Sequence, residues 1–350
     1  MKAQAGKGLN VNLEGFLDLL HRWFSSGLQI NELSDDQIFA NSSLLQKRTI
    51  TIGNEKEQTL EINLGMLASL IIKLKSSFIS LCRLPRKRGL VNDYAMHKDF
   101  VKKILTRPLN LQRTKVFTLN YDTLLEESMD RLGIFYLDGF IGKEHRYFRP
   151  ESYGYDLYFP AGTTEGRVHR LDKVLHFYKL HGSITWVKRE EDFDNIYGLE
   201  MCSCDKEITK KDAEKILIYP TPRKYGEVLG FPYSELLRNF ASAIVQPQSV
   251  LFILGYSFGD KHINNIIRQA LTIPSFTLVI VDPCINGYVD SLIKLNDNRI
   301  YVFSGDMLGS FENFVKNAMP DLTEIKIKEK VVETYKAIGM LDQGKEQKKE

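Results

Sequence analysis

Four short stretches of the chain set polar or small residues directly after apolar runs, as a reaction centre at strand ends would need. The first is VFTLNYDTLLEE, with Thr118, Asn120 and Asp122 where a strand gives way to a helix. The amide of Asn120 both donates and accepts, so it can hold a substrate hydroxyl or orient a water. Asp122 reads first as a helix cap, accepting hydrogen bonds from free N–H groups. The second stretch is YKLHGSITW, where His181 borders a Gly-Ser turn. Neutral imidazole takes a proton from a hydroxyl or a water near pH 7, which few side chains can do. A histidine at a turn is otherwise only structural.

The third stretch, LFILGYSFGDKHIN, holds Gly255 and Ser257. The glycine lets backbone approach a ligand, and the serine offers a hydroxyl and an N–H near a helix N-terminus, which suits a phosphate. The same letters also read as a glycine-eased turn with Asp260 as N-cap and His262 as a helix-start residue. The fourth stretch is LVIVDP. Asp282 ends an apolar strand, where an acidic residue can bond ribose hydroxyls; an Asp-Pro turn is the plainer account.

These stretches need elements to position them. KVFTLN (115–120) predicts a strand, and YDTLLEESMDRLG a helix closed by Gly133. ILIYP (216–220) is a strand and SELLRNFASAIVQ (234–246) a helix. SVLFILGYSFGDKHINNIIRQAL (249–271) is strand, Gly-rich loop and helix in succession. FTLVIVDP (276–283) is continuously apolar, as strands buried on both faces are. RIYVFSGD (299–306) and SFENFVKNAM (310–319) add a last strand and helix. The alternation predicts an α/β fold, a mostly parallel sheet with helices on both faces, and a ligand beyond the strands' carboxyl ends. Residues 134–175 have little periodicity and read as a long connection covering a site, and 187–215 as an exposed insertion.

Ahead of this core, residues 13–25 and 97–107 have helical spacing, ITI…TLEINL reads as a hairpin around Gly53-Asn54, and 64–82 as a helix running into the basic loop RLPRKRG (83–89). Three regions result: a helical part over 1–110, an α/β core over 111–320, and a charged tail over 321–350.

An apolar fraction of 43% with 11% aromatics in 350 residues is that of a folded protein with a substantial core. A net charge of +3 neither demands nor excludes a nucleic-acid partner. Cys82, Cys202, Cys204 and Cys284 are too scattered for a disulfide framework, so a reducing cytoplasm is expected. The N-terminus lacks the apolar run of a secretory signal, and Lys73 and Lys75 interrupt the most hydrophobic segment. A soluble protein without a membrane span is expected.

TLNYD, KLHGS, GYS and VIVDP together resemble the sirtuin family, in which a Thr-x-Asn-x-Asp strand end, a His-Gly motif, a Gly-x-Ser loop and a later strand end line one NAD pocket in that order. YKLHGSITW, LIYPTPRKYGEVLGFPY and LGYSFGDKHINNII are similar to the sirtuin-like proteins of prokaryotic anti-phage defence. Those proteins hydrolyse NAD, assemble into large homo-oligomers and often work beside a hexameric motor ATPase. The resemblance spans roughly 110–320. It implies a Rossmann-like fold and NAD as substrate. In that pocket Asn120 would orient water or ribose and His181 would act as general base. Thr118, Asp122, Gly255 and Ser257 would line the cofactor, and Asp282 would meet the adenosine ribose.

Two departures qualify this picture. Cys202-Ser-Cys204 supplies two of the four ligands of a closed zinc site, so neither structural zinc nor protein deacetylation is expected. No stretch matches the family's opening strand and Gly-Ala-Gly-x-Ser phosphate loop, and AGKGLN (5–10) follows no strand. The first βα unit is therefore expected to be missing, through a misplaced start, a fragment or a real loss, and the chain alone is expected to bind NAD poorly. That leaves room for a non-catalytic subunit whose sheet and RLPRKRG loop serve as an assembly surface. A nucleic-acid-binding module would instead show steeply salt-dependent binding.

Overall fold

The computed structural model describes residues 45–51, 57–63, 94–108, 110–160, 168–202, 216–218 and 231–320, with isolated positions within 73–82 and 331–335. The helix expected over 13–25 and the 83–89 loop lie outside the described residues, and the described positions of 73–82 are helical. Strands β1 (Leu45–Thr51) and β2 (Glu57–Asn63) pair antiparallel, the hairpin expected around Gly53-Asn54.

Helix α1 (Ala95–Ile104) precedes strand β3 (Lys115–Thr118), helix α2 (Leu124–Arg131) and strand β4 (Phe135–Leu137). Short strands β5 (Phe140–Ile141), β6 (Arg146–Phe148), β7 (Tyr158–Pro160) and β8 (Val168–Arg170) follow. Then come β9 (Val174–Lys179), β10 (Gly182–Lys188), β11 (Leu199–Met201) and β12 (Ile216–Ile218). Helix α3 (Tyr233–Ile244), β13 (Val250–Leu254), α4 (Lys261–Leu271), β14 (Thr277–Asp282), α5 (Gly287–Ile293) and β15 (Ile300–Ser304) complete the alternation, with helical turns at Gly305–Leu308, Phe311–Asn313 and Phe314–Ala318.

The first parallel ladder is β3–β9–β4, with Lys115 opposite His176 and Thr118 opposite Lys179. Every residue of β9 is buried, because successive side chains leave opposite faces and both faces are covered. Leu175 and Phe177 pack with Val101 of α1 and Met129 of α2. Tyr178, on the other face, stacks on Phe117 at 4.5 Å and on Tyr153 at 4.1 Å.

The second parallel ladder is β13–β14–β15. Leu278 and Ile280 pack with Leu236 and Phe240 of α3 and with Ile263 and Ile267 of α4. Phe240 also meets Phe117 edge-on at 5.0 Å, so α3 joins the two ladders in one core.

One sheet, mostly parallel, was the expectation; the described strands instead form two three-stranded parallel ladders, a five-stranded antiparallel sheet, β12–β10–β11–β6–β5, and the two antiparallel pairs β1–β2 and β7–β8. The cause is an aromatic cluster. Trp186 of β10 sits 5.2 Å from Phe140 and 6.2 Å from Phe148, and burying it brings the strands that carry them into one sheet. The 134–175 segment is thus threaded with short strands, and Leu199 of β11 is buried within the segment read as an exposed insertion. Runs of two or three residues are too short to show a period. Among the described residues, no helix is long and apolar enough to cross a membrane.

Candidate active site

The loop after β3 and the turn after β9 are sewn together by main-chain hydrogen bonds. Leu180 N–H donates to the Thr118 carbonyl at 2.9 Å, and Ile184 N–H to the Tyr121 carbonyl at 3.1 Å. Within the loop, the Thr118 hydroxyl accepts Asn120 N–H at 3.1 Å. The Asp122 carboxylate accepts Leu124 N–H, the first amide of α2, at 3.0 Å from the residue before the N-cap Thr123, so it holds a free helix N–H as its position suggested. Asn120 is left exposed at the tip, and its side-chain amide is unengaged among the described residues.

His181 leaves the end of β9 with its side chain 14% exposed, and its Nε2 lies 3.2 Å from Asp260 Oδ2. The other oxygen, Oδ1, accepts His262 N–H at 2.8 Å and Ile263 N–H at 3.4 Å. One carboxylate therefore caps α4 and holds the histidine. An ionised carboxylate only accepts, so Nε2 carries the shared proton and Nδ1 becomes the proton-accepting nitrogen.

A second layer fixes Asp260. Its N–H donates to the Tyr256 hydroxyl at 3.2 Å, and that hydroxyl is 3.0 Å from Asn264 Oδ1. Burial, reinforced by the Asp260 charge, pushes the Tyr256 phenol well above its ordinary value, so it stays neutral.

Between β13 and α4 the loop is tightly constrained. Gly255 has φ +62°, and open space lies where a side chain would project. Phe258 has φ +58°, a left-handed backbone that costs a bulky residue about 1–2 kcal/mol. Its ring stacks on Tyr288 at 4.8 Å, and its carbonyl accepts Asn264 Nδ2–H at 2.8 Å. Strain held this way concentrates at functional sites. Ser257 is exposed, and its carbonyl accepts Asn286 Nδ2–H at 3.2 Å.

The first α4 amides serve Asp260, the N-cap its position suggested, and its negative charge opposes a phosphate at that helix N-terminus. Asp282, at the end of β14, accepts Cys284 N–H at 2.9 Å in the turn its Asp-Pro sequence suggested. The neighbouring Gly255 N–H donates to the Val281 carbonyl at 3.0 Å, which keeps this strand end beside the loop.

The seven residues singled out in the sequence thus all stand at or just beyond the carboxyl ends of parallel strands. Thr118, Asn120, Asp122 and His181 form one group, and Asp260 links it to the Gly255–Ser257 loop. Residues 114–286 match the SIR2-like domain family. This is a sirtuin-related family that uses NAD, and it implies a Rossmann-like fold. The SIR2-like domain contains all seven residues and Asp260. No curated protein matches the chain. Among the described residues no group of three or more His, Cys, Asp or Glu is placed to hold a metal ion, and Cys204 lies outside them.

Sequence reasoning found Asp260 as a cap but missed it as the partner of His181, because 79 residues separate them and no local spacing reports the contact. It also passed over Lys179, a cation in an otherwise apolar buried strand, which was a legible signal.

Proposed function

We propose that the SIR2-like domain hydrolyses NAD, cleaving the bond between nicotinamide and ribose to give nicotinamide and ADP-ribose. The supporting observation is the His181–Asp260 pair, on a turn hydrogen-bonded to the loop that carries the exposed Asn120, at the carboxyl ends of the parallel strands. The glycosidic electron pair leaves with nicotinamide, and an oxocarbenium-like ribose results. Water adds to the anomeric carbon and gives its proton to His181 Nδ1, while Asp260 stabilises the imidazolium. Asn120 orients the water or a ribose hydroxyl. A base placed this way contributes typically 10²–10⁴-fold. Backbone at Gly255 and Ser257 meets the phosphate and ribose region, Thr118 and Asp122 shape the loop that carries Asn120, and Asp282 meets the adenosine ribose.

We further propose that the reaction depletes NAD in anti-phage defence, in a homo-oligomer partnered by a hexameric motor ATPase. YKLHGSITW and LGYSFGDKHINNII support that reading. A non-catalytic assembly subunit is the second reading. It is favoured by the occupied α4 amides, which leave the loop without a helix N-terminus for phosphate.

Nicotinamide release from NAD, measured with and without the ATPase, separates the two. Release by the wild type and at least a hundredfold loss in Asn120→Ala and His181→Ala are expected. An inactive wild type that binds the ATPase would favour the assembly reading.

A further inference from the structure

Lys179 ends β9, two residues before His181, and is 3% exposed. It leaves the face of β9 that α2 covers. There its ammonium donates to Glu126 Oε1 at 2.7 Å and to the main-chain carbonyl of Asp122, and it lies 5.8 Å from the centroid of the Phe177 ring. Asp122 belongs to the loop that presents Asn120. A single buried cation therefore ties the main chain of the Asn120 loop to the end of the strand that leads into His181.

Stability gives little reason for this arrangement. Glu126 Oε2 is buried with no hydrogen-bond partner, which carries a desolvation cost. Buried ion pairs are commonly no more stabilising than apolar side chains of similar volume. What the pair adds is direction: an ammonium fixes a carbonyl and a carboxylate in space, and a methyl group does not. We propose that Lys179, acting through Glu126 and the Asp122 carbonyl, is a positioning residue that sets Asn120 relative to His181. The inference rests on the NAD-hydrolase reading for its catalytic consequence, though not for the tether itself.

The test replaces the ion pair with apolar side chains, Lys179→Met with Glu126→Leu, in the full chain. Three results are expected. The thermal midpoint is unchanged or raised. At saturating NAD, kcat falls at least tenfold while KM moves less than threefold. Amide hydrogen exchange over 119–123 speeds up at least tenfold while the β13–β14 amides stay protected. A folded double variant with kcat within twofold of wild type and unchanged exchange over 119–123 would overturn the proposal. If the double variant does not fold, Glu126→Gln is read instead. It keeps the shape and an acceptor for Lys179 but removes the charge, and faster 119–123 exchange supports the tether while unchanged exchange overturns it. A wild type that releases no nicotinamide counts against the hydrolase reading, and the exchange measurement still decides the tether.

Discussion

His181 Nε2 lies 3.2 Å from Asp260 Oδ2, and the second oxygen of the same carboxylate caps helix α4. The two duties can be separated. Asparagine caps helices as well as aspartate does but carries no charge to steady an imidazolium. Asp260→Asn is therefore expected to unfold within about 0.5 kcal/mol of wild type and to lose nicotinamide release by roughly tenfold to a thousandfold. Asp260→Ala loses both duties and about 1 kcal/mol more stability. Parallel melting and rate measurements check this; equal activity in wild type and Asp260→Asn would remove the dyad from the mechanism.

A left-handed phenylalanine needs a clamp. Asn264 supplies it by donating to the Phe258 carbonyl and lying 3.0 Å from the Tyr256 hydroxyl. Asn264→Leu keeps the helix but leaves that buried carbonyl unpaired. A loss of about 1–3 kcal/mol is expected in chemical denaturation, with a larger relative fall in NAD turnover than in stability, since the same loop carries Asp260.

How much of this was legible in the letters depends on the range of each signal. TLVIVD announced a buried parallel strand because both of its faces are apolar. Asp260 and Asp122 announced helix starts because capping is decided within three residues. TLNYD, HGS and GYS announced a site through their place at strand ends. Hidden were relationships between distant residues: the His181–Asp260 contact, the Lys179–Glu126 pair, and the antiparallel sheet assembled around Trp186. These depend on where strands lie relative to one another, which no local window contains.

Gly255 tests whether a ligand approaches the loop backbone. Its φ of +62° makes any side chain costly, yet open space lies where a Cβ would sit. Gly255→Ala should cost about 1 kcal/mol of stability from the backbone alone. If NAD lies in that space, KM for NAD should rise well beyond what this small loss explains, by about tenfold. A stability loss with unchanged KM would move the phosphate region away from Gly255.

Acid should act on the fold in two separate windows. Burial, with help from the Lys115 and Arg113 cations and against the Asp156 carboxylate, lowers His176 from 6.5 to about 4. The folded value lies below the unfolded one, so the stability linked to neutral His176 is complete above pH 6.5 and drains away as pH falls towards about 4. A loss of about 3 kcal/mol across that window is expected, and His176→Leu should flatten it. Burial would raise Asp156, but hydrogen bonds from Arg113 and Arg170, both at 2.7 Å, hold its carboxyl below the ordinary 3.8. Its stabilisation is present above 3.8 and is lost only as pH falls through the lower folded value. Asp156→Ala leaves Arg113, whose side chain is 7% exposed, without its carboxylate, and should cost about 2–4 kcal/mol at neutral pH. Urea melts between pH 7 and 3 on wild type and the two variants resolve the windows. An acid transition in His176→Leu that keeps its midpoint between pH 6.5 and 4 would assign the upper window to another group.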